Sequence, residues 1–435
     1  SNRPVAPGPK DIAGLAALGG ALPQDPTDPA EVLALLDQAA SPATVATTGG
    51  RYFGFVTGGA LPATVAANIL ATAWDQNGAL RAMSPAAAAL EEAATAWILD
   101  VLRLPPSSVV GFVTGATMAN FTCLAAARHA LLQNAGWNVE EDGLFGAPPI
   151  HVIVGQEVHV ALLKALAMLG FGRKRVTRVP VDNQGRIIAA ELPALDSRTL
   201  VCLQAGNVNT GAFDPAPEIC AQAREAGAWV HTDGAFGLWA AAAPSLAHLM
   251  DGYNLGDSWA TDNHKWLNVP YDSGLAIVRE PRHLHAAMSV TAAYLQLSVD
   301  REPSHYTPEA SRRARGIEVW AALRSLGRRG LGEMFESNCR MAQRMASHLR
   351  NAGFAILNDV VLNQVMVSFG DPEATRGVVA AIQADGTCWC GATQWQGQTA
   401  MRISVSNWST TEADIDASAD AIIRLAIHRK TVLKC

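Results

Sequence analysis

The sequence predicts an α/β fold in which a mostly parallel central sheet is flanked by helices and followed by a smaller α+β domain. Three observations support this prediction. Apolar strand patterns alternate with helical patterns between residues 109 and 265. Several of these strands end in a polar residue or a small-residue turn, which is typical of ligand sites in open α/β sheets. From about residue 330 the order changes to a helix, strands and a final helix.

The chain of 435 residues is too long for one ordinary core. Hydrophobic residues make up 49% of it and charged residues 17%, which is typical of a globular protein with a large interior. We expect an N-terminal arm at 1–75, a large domain at 76–315 and a small C-terminal domain at 316–435.

Composition excludes several classes of partner. A net charge of -6 without a basic block argues against nucleic-acid binding. No apolar run reaches the roughly 18 residues that a membrane span requires. The first residues contain neither a starting Met nor an apolar signal segment. Trimming of the chain or a tag remnant would explain this start.

Seven scattered cysteines show no disulfide-framework spacing, which predicts a reducing cytoplasm. Cys388 and Cys390 form a C-x-C pattern, but no second Cys or His pair accompanies them at ligand spacing. We therefore expect no metal site.

The first 50 residues are rich in Pro, Gly and Ala, with one helical stretch around 29–40, and look like an arm that rests on another surface. The aromatic cluster GGRYFGFVTGGALP follows at 49–62. It fits either a loop with a buried aromatic plug or a pocket wall in which Phe55, Val56 and Thr57 face a ligand.

A core helix is predicted to begin at Ser84-Pro85, because an N-cap residue is followed by proline at the first helical position. The buried strand 109–113 then runs into a small-residue turn and an Ala/Leu-rich helix that ends near Leu132. A strand, a small-residue turn and a helix together present free backbone N–H groups and a helix dipole to an anion. The turn lacks the glycine motifs of ATP and NAD sites, so those ligands are disfavoured.

His159 lies at the next strand-to-helix junction, after the strand HVIVG, where ligands gather in open α/β sheets. A structural role for this histidine is the alternative. Asp233 follows the apolar strand Ala228–Thr232, and a buried acid there must meet a cation or several donors.

Lys265 lies in SWATDNHKWLNVPYDS, among residues that favour burial. Burial lowers the pKa of a lysine, as a Schiff-base lysine requires, although a lysine that extends to solvent is the alternative. Asp233 and Lys265 are candidates for a direct ion pair or for contacts with one cofactor between them.

The segment 280–315 loses periodicity and is a candidate lid, with Tyr294 and Tyr306 within it. Arg402 lies on the strand MRISVS, where alternation places it on the polar face, so a surface role is expected.

Taken together, the motifs resemble those of the group II pyridoxal-phosphate decarboxylases, which have the aspartate-aminotransferase fold (fold type I). The match extends from SPAAAALE at 84–91 to RISVSNWSTTEADI at 402–415. Its most specific part is HTDGAFG (231–237), DNHKW (262–266) and SRRARGIEVW (311–320), in family order and spacing.

The resemblance implies specific roles. Lys265 would hold pyridoxal 5'-phosphate as an internal aldimine, Asp233 would pair with the pyridine nitrogen, and Ala235 would pack under the ring. His159 would stack on its opposite face, and Tyr306 would donate the proton after CO2 leaves. The implied cofactor-binding residues are Gly115, Ala116, Thr117, His159, Asn207, Asp233, Ala235, Asp262, His264 and Lys265.

The implied substrate pocket comprises Phe55, Val56, Thr57 and Arg81. Ala116 departs from the family's usual Ser-Gly-Gly turn, and Val56 and Thr57 differ from the aromatic amino-acid enzymes.

The predicted function is decarboxylation of an L-amino acid to an amine through a Lys265 Schiff base. The alternatives are an aminotransferase, an aldolase or lyase, or a decarboxylating aldehyde synthase; a cofactor-free scaffold is a further one. For an aminotransferase, Arg402 or a partner subunit's Arg81 could bind the substrate carboxylate. A homodimer with shared active sites is expected.

Overall fold

A seven-stranded sheet organises the larger part of the molecule, in the strand order β1-β7-β6-β5-β4-β2-β3. The computed structural model describes residues 3–289 and 301–432. The strands of this sheet are Val109–Val113 (β1), His151–Gly155 (β2), Thr177–Val179 (β3), Thr199–Gln204 (β4), Trp229–Asp233 (β5), Ser258–Asp262 (β6) and Gly274–Val278 (β7). All run parallel except β7, which is antiparallel to both neighbours. The predicted α/β class and mostly parallel sheet are confirmed.

Helices precede and connect these strands. They are Pro9–Gly14 (α1), Pro29–Ala40 (α2), Pro62–Trp74 (α3), Pro85–Val101 (α4), Ala116–Asn134 (α5), Val139–Asp142 (α6), Val160–Met168 (α7), Ala216–Ala226 (α8) and Pro281–Met288 (α9). The predicted start of α4 is confirmed, because the Ser84 hydroxyl accepts a hydrogen bond from the N–H of Ala87 at 3.2 Å. None of the helices in the two described ranges has the length and apolar character needed to cross a membrane.

The C-terminal part adds a four-stranded antiparallel sheet in the order β10-β11-β9-β8. Its strands are Ala355–Ile356 (β8), Gln364–Ser368 (β9), Gly391–Trp395 (β10) and Gln398–Ser404 (β11). Its helices are Gly316–Asn351 (α10), Pro372–Asp385 (α11) and Glu412–Val432 (α12). Cys388 and Cys390 are fully buried in this core and pack as small apolar side chains.

Helix α10 connects the two cores and bends at Gly327, whose φ is 60°. Val319, before the bend, and Phe335, after it, both pack in the core of the large sheet. Met345, farther along the helix, belongs to the core of the small sheet. The predicted limit at 315/316 therefore falls at the start of an element shared by both cores, and the three-part division stays a prediction.

The parallel arrangement places the carboxyl ends of β1, β2, β5 and β6 at one edge of the large sheet. Loops that follow parallel strands converge there, and ligands of open α/β sheets bind at that edge. The turn after β1, the start of α7 and the segment after β6 therefore lie close together.

Candidate active site

A cavity of about 350 Å³ opens at this edge of the sheet, within the size range of small-molecule sites. It is formed by the turn after β1, the first turn of α7 and the ends of β5 and β6. Its lining residues are Thr114, Gly115, Ala116, Thr117, Met118, His159, Ala161, Asp233, Ala235, Asp262, His264 and Lys265. The fold therefore brings together nine of the ten residues predicted to bind the cofactor, all except Asn207. None of the four residues predicted to form the substrate pocket lines this cavity.

Lys265 lies three residues beyond the end of β6, and its Nζ atom is 2.8 Å from Oδ2 of Asp262. The following residue, Trp266, is fully buried and donates its indole N–H to Asn338 at 2.9 Å. This anchor fixes the backbone beside the lysine, so the amine is presented to the cavity from a rigid turn.

The direction predicted for the pKa of Lys265 was wrong. Burial does lower this pKa, but the ion pair with Asp262 and the charge of Asp233 outweigh burial, and the pKa lies above its ordinary value. A direct ion pair with Asp233 was one of the two alternatives predicted, but the carboxylate in contact with the ammonium group is that of Asp262.

Asp233 ends β5 and is 6% exposed. Its Oδ2 accepts a hydrogen bond from Nδ2 of Asn120 at 3.1 Å, and its Oδ1 accepts one from the N–H of Ala235 at 3.2 Å. Burial raises the pKa of Asp233, whereas the charges of His159 and Lys265 act in the opposite direction. The carboxylate is thus a buried acid that gains from a cationic partner in the cavity.

His159 is the N-cap residue of α7, and its Nδ1 accepts the N–H of Ala161 at 3.3 Å. This bond leaves the proton of the neutral ring on Nε2. Burial lowers the pKa of His159, Asp233 opposes that effect, and Lys265 reinforces it. A neutral imidazole is therefore favoured at the cavity wall.

The turn after β1 gives the cavity its anion-binding character. First-turn N–H groups of a helix have no intrahelical partner, and the positive end of the α5 dipole lies here. The N–H of Ala116 donates to Oδ1 of Asp262 at 2.5 Å. A Cβ on Gly115 would lie 2.8 Å from Cε1 of His264 and 3.1 Å from Asp262, so a side chain at this position would obstruct the cradle.

His264 completes this cradle. Its Nδ1 accepts the N–H of Ser273 at 3.1 Å, which places the proton of the neutral ring on Nε2, 3.3 Å from Oδ1 of Asp262. Its ring stacks on Tyr271, with 4.3 Å between centroids. The exposed Tyr271 was not identified from the sequence, because it follows Lys265 in a Pro-containing turn without periodicity.

The surface role expected for Arg402 was wrong. Its strand β11 lies inside the small sheet, between β9 and β10, and its side chain reaches toward Asn209, in the loop after β4 of the large sheet, 3.5 Å away. Burial lowers the pKa of Arg402, and its charge contributes to lowering the pKa of His159. Among the residues that the structure describes, no carboxylate lies within ion-pair distance of this guanidinium.

Tyr306 and Asn207 are not among the residues that line the cavity. The ring of Tyr306 packs under the Arg301 guanidinium at 4.5 Å, and its carbonyl lies against Gly111 of β1. The Asn207 Oδ1 accepts the N–H groups of Asn209 and Thr210, so it caps its own turn. These placements do not support the contacts expected of Tyr306 and Asn207 within one chain. Within the predicted lid, 280–315, residues Pro281–Met288 form the helix α9, and residues 290–300, with Tyr294, lie outside the described residues.

Three of the four residues predicted for the substrate pocket lie in different environments. Val56 is 1% exposed and belongs to the large core, so a ligand contact for its side chain was a wrong expectation. Phe55 is 66% exposed and lies 5.3 Å from the ring of Trp389. Thr57 is buried, and its N–H donates to the carbonyl of Gly54.

The backbone of this segment nevertheless passes beside the lysine, because a Cβ on Gly58 would lie 1.8 Å from the carbonyl oxygen of Lys265. Arg81 lies farther along the chain, where its guanidinium pairs with Glu92 and its N–H donates to Glu302.

Comparison with known proteins places this geometry in a family. The chain is 26% identical over 344 residues to the aromatic-L-amino-acid decarboxylase of Bacillus atrophaeus, covering 76% of this chain and 69% of that protein. It is 24% identical over 359 residues to the 4-hydroxyphenylacetaldehyde synthase of Rhodiola rosea, covering 77% and 72%. A crystal structure of Oryza sativa TDC with PLP and tryptamine matches the fold with a TM-score of 0.90 at 22% identity, covering 98% of this chain and 93% of that chain. Because the model of the pyridoxal-dependent decarboxylase conserved domain matches residues 20–369, the chain belongs to the pyridoxal-dependent decarboxylase family.

Proposed function

We propose that the protein catalyses the pyridoxal-phosphate-dependent decarboxylation of an L-amino acid to the corresponding amine and CO2. The observation that carries this proposal is the cavity in which Lys265, Asp233, His159 and the first turn of α5 meet. The aldehyde of this cofactor requires an amine, and its ring nitrogen requires a buried acid. An imidazole can cover the face of the ring, and a helix N-terminus can bind the phosphate.

The residues present fit the cofactor. The amine of Lys265 would hold the aldehyde carbon, and the buried Asp233 carboxylate would hold a protonated pyridine nitrogen. The turn at Gly115–Thr117, with His264, would hold the phosphate, since the absent side chain of Gly115 leaves room beside that imidazole. When bound, pyridoxal phosphate supplies an electron sink for the bond broken at the substrate Cα.

We propose that Arg402 holds the carboxylate of the substrate. Its guanidinium is close enough to His159 to lower the pKa of that imidazole, and a buried cation gains most from a carboxylate partner. The bond that breaks in such an enzyme is set by how the substrate is oriented, so a fixed cation beside His159 would select which group leaves. Arg402→Lys should raise KM by more than tenfold, since a lysine loses the planar bidentate contact.

A homodimer in the cytoplasm is part of this proposal. The arm helix α2 buries none of its residues within one chain and exposes Leu33 and Leu36, and α3 exposes Ile69 and Trp74. Apolar faces of this size favour contact with a second copy. The described cysteines are free and buried, which agrees with a reducing compartment. Light scattering on the purified protein tests the dimer.

A mass-spectrometric screen tests the reaction. The protein is incubated with pyridoxal phosphate and single amino acids, including aromatic and acidic ones, and products are scanned for loss of CO2. An amine with CO2 supports the proposal. Aldehyde with peroxide and ammonia supports the second candidate, a decarboxylating aldehyde synthase, which the similarity to the Rhodiola enzyme favours. A keto acid, or no product from a cofactor-loaded protein, would contradict decarboxylation.

A further inference from the structure

A continuous chain of buried hydrogen bonds leads from Asp233 into the interior of the sheet. Oδ2 of Asp233 accepts from Nδ2 of Asn120 at 3.1 Å, and Oδ1 of Asn120 lies 2.8 Å from Nε2 of His231. Asn120 and His231 are both fully buried. Asn120 lies in the second turn of α5, and His231 is two residues before Asp233 on β5, so the two elements that carry the cavity wall also carry this chain of bonds.

The chain continues on the far side of His231. Its Nδ1 lies 2.9 Å from Oγ of Ser258, which in turn lies 2.9 Å from Nε1 of Trp229. Ser258 and Trp229 are the first residues of β6 and β5. The bonds therefore cross the sheet from its amino edge to the cavity.

The chemistry of the end groups fixes the direction of every bond. An ionised carboxylate only accepts, so Asn120 donates to Asp233 through Nδ2 and its Oδ1 accepts from His231. The neutral ring then accepts at Nδ1 from the Ser258 hydroxyl, whose oxygen accepts the indole N–H of Trp229. The proton of His231 is then on Nε2 and is donated to Oδ1 of Asn120. With that oxygen occupied, the Asn120 amide presents its NH2 group, and not its oxygen, to Asp233.

The imidazole in this chain is not a proton donor in the acid–base sense. Burial lowers the pKa of His231 to about 3, so the ring is neutral at physiological pH. The imidazole of His231 instead holds the side-chain amide of Asn120 in one orientation. A flipped Asn120 would place a carbonyl oxygen against the carboxylate of Asp233, which is an unfavourable contact in a buried site.

We propose that Asn120 and His231 are positioning residues that keep the Asp233 carboxylate ionised and aimed at the cofactor's ring nitrogen. This inference depends on the proposed function. Hydrogen bonds to an ionised carboxylate favour its charged form, and here burial acts against that form. In the described part of the chain, the charged or titratable groups near Asp233 are His159 from α7, Lys265 and Asp262 from the β6 segment, and the thiols of Cys123 on α5 and Cys202 on β4. Asn120 is the uncharged side chain that donates to the carboxylate.

Cofactor affinity of the apoprotein is the first readout. We expect Asn120→Leu and His231→Leu each to weaken the dissociation constant for pyridoxal phosphate by about tenfold to a hundredfold, the effect of one hydrogen bond to a charged group. His231→Gln retains a donor for Asn120 and should recover most of the affinity. Asn363→Leu is the matched control, because Asn363 is an equally buried amide directly before β9 of the small sheet, bonded to Val405 and Ser406.

The pH dependence of the bound cofactor's absorbance is the second readout. In the wild-type protein the spectrum should be constant between pH 6 and 9, and in His231→Leu it should titrate within that range. Equal affinities and spectra for wild type, His231→Leu and His231→Gln would overturn the inference. If Asn120→Leu does not fold, the cofactor affinities and spectra of His231→Leu and His231→Gln test the inference. Failure of the wild-type protein to bind the cofactor would instead contradict the proposed function.

Discussion

The Nζ atom of Lys265 lies 2.8 Å from Oδ2 of Asp262, whose other oxygen accepts the N–H of Ala116 at the start of α5. One carboxylate therefore holds the reactive amine and occupies the helix end that would bind a phosphate. Because this pair raises the pKa of Lys265, the stability linked to protonation of the lysine is fully present below the ordinary lysine pKa and is lost as the pH rises through the raised pKa.

Asp262→Asn should make Lys265 more reactive toward an aldehyde at neutral pH. Loss of the ion pair lowers the pKa of the amine, and each unit of lowering increases the neutral, nucleophilic fraction about tenfold. The measurement is the rate at which the apoprotein captures pyridoxal, which lacks the phosphate and so avoids the helix end. Asp251→Asn, which removes the charge of an exposed acid, is the control variant. Lys265→Ala gives the background rate of capture without this amine. An unchanged rate in Asp262→Asn would contradict this account of the lysine.

Glu91→Gln should destabilise the protein by about 3–5 kcal/mol, the usual cost of removing one partner of a buried ion pair. Glu91 is 1% exposed and binds Arg312 through two hydrogen bonds of 2.8 and 3.0 Å. Chemical denaturation measures the loss. The adjacent Glu92 pairs with Arg81 at the surface, so Glu92→Gln should cost only about 0–1 kcal/mol. Similar losses in both variants would contradict the assignment of Glu91 as the structural anchor.

Asp214→Asn should change how stability depends on pH. Burial raises the pKa of Asp214 to about 7, although the N–H groups of Gln204 and Ile187 oppose this. The folded protein then binds more protons than the unfolded chain between about pH 4 and 7, so the wild-type protein loses this contribution as the pH rises through that window.

Relative to wild type, Asp214→Asn should therefore gain stability between pH 4 and 7 and show no further change above pH 7. Thermal unfolding across this range measures the difference, with Asp251→Asn as the control. A constant difference at all pH values would show that Asp214 does not titrate there.

Tyr306→Phe should leave the product and kcat within about twofold of wild type, because the half-buried ring lies outside the cavity and the substitution removes only its hydroxyl group. The ring packs under Arg301, and a phenylalanine keeps that contact. Product analysis by mass spectrometry checks this outcome. A switch to an aldehyde product, or a large loss of amine formation, would contradict this prediction. It would support Tyr306 as a proton donor that acts outside the cavity of its own chain.

Local sequence patterns were sufficient for the residues whose position follows from one strand. Asp233 and Lys265 each follow an apolar strand, and parallel strands end at the same edge, so their proximity could be predicted. The cavity residues Gly115, Ala116 and His159 follow by the same reasoning from β1 and β2. The mostly parallel sheet was predictable because the alternating strand and helix patterns exclude hairpins over that range.

Residues set by packing between distant segments could not be predicted. Arg402 lies on a strand that is covered on both faces, so alternation gave the wrong environment. Asn120 looks like one polar residue in an Ala/Leu-rich helix, and only the fold brings it to Asp233 and His231. The cofactor contact of Asn207 stays a prediction: its Oδ1 accepts from its own turn, as Asn residues commonly do, and its buried Nδ2 has no hydrogen-bond partner among the described residues.

Borohydride reduction of the cofactor-loaded protein, followed by peptide mass spectrometry, tests the central claim most directly. The account predicts one pyridoxyl group, located on Lys265, and none in Lys265→Ala. A pyridoxyl group on another lysine, or none on Lys265 in a protein that has bound pyridoxal phosphate, would contradict it.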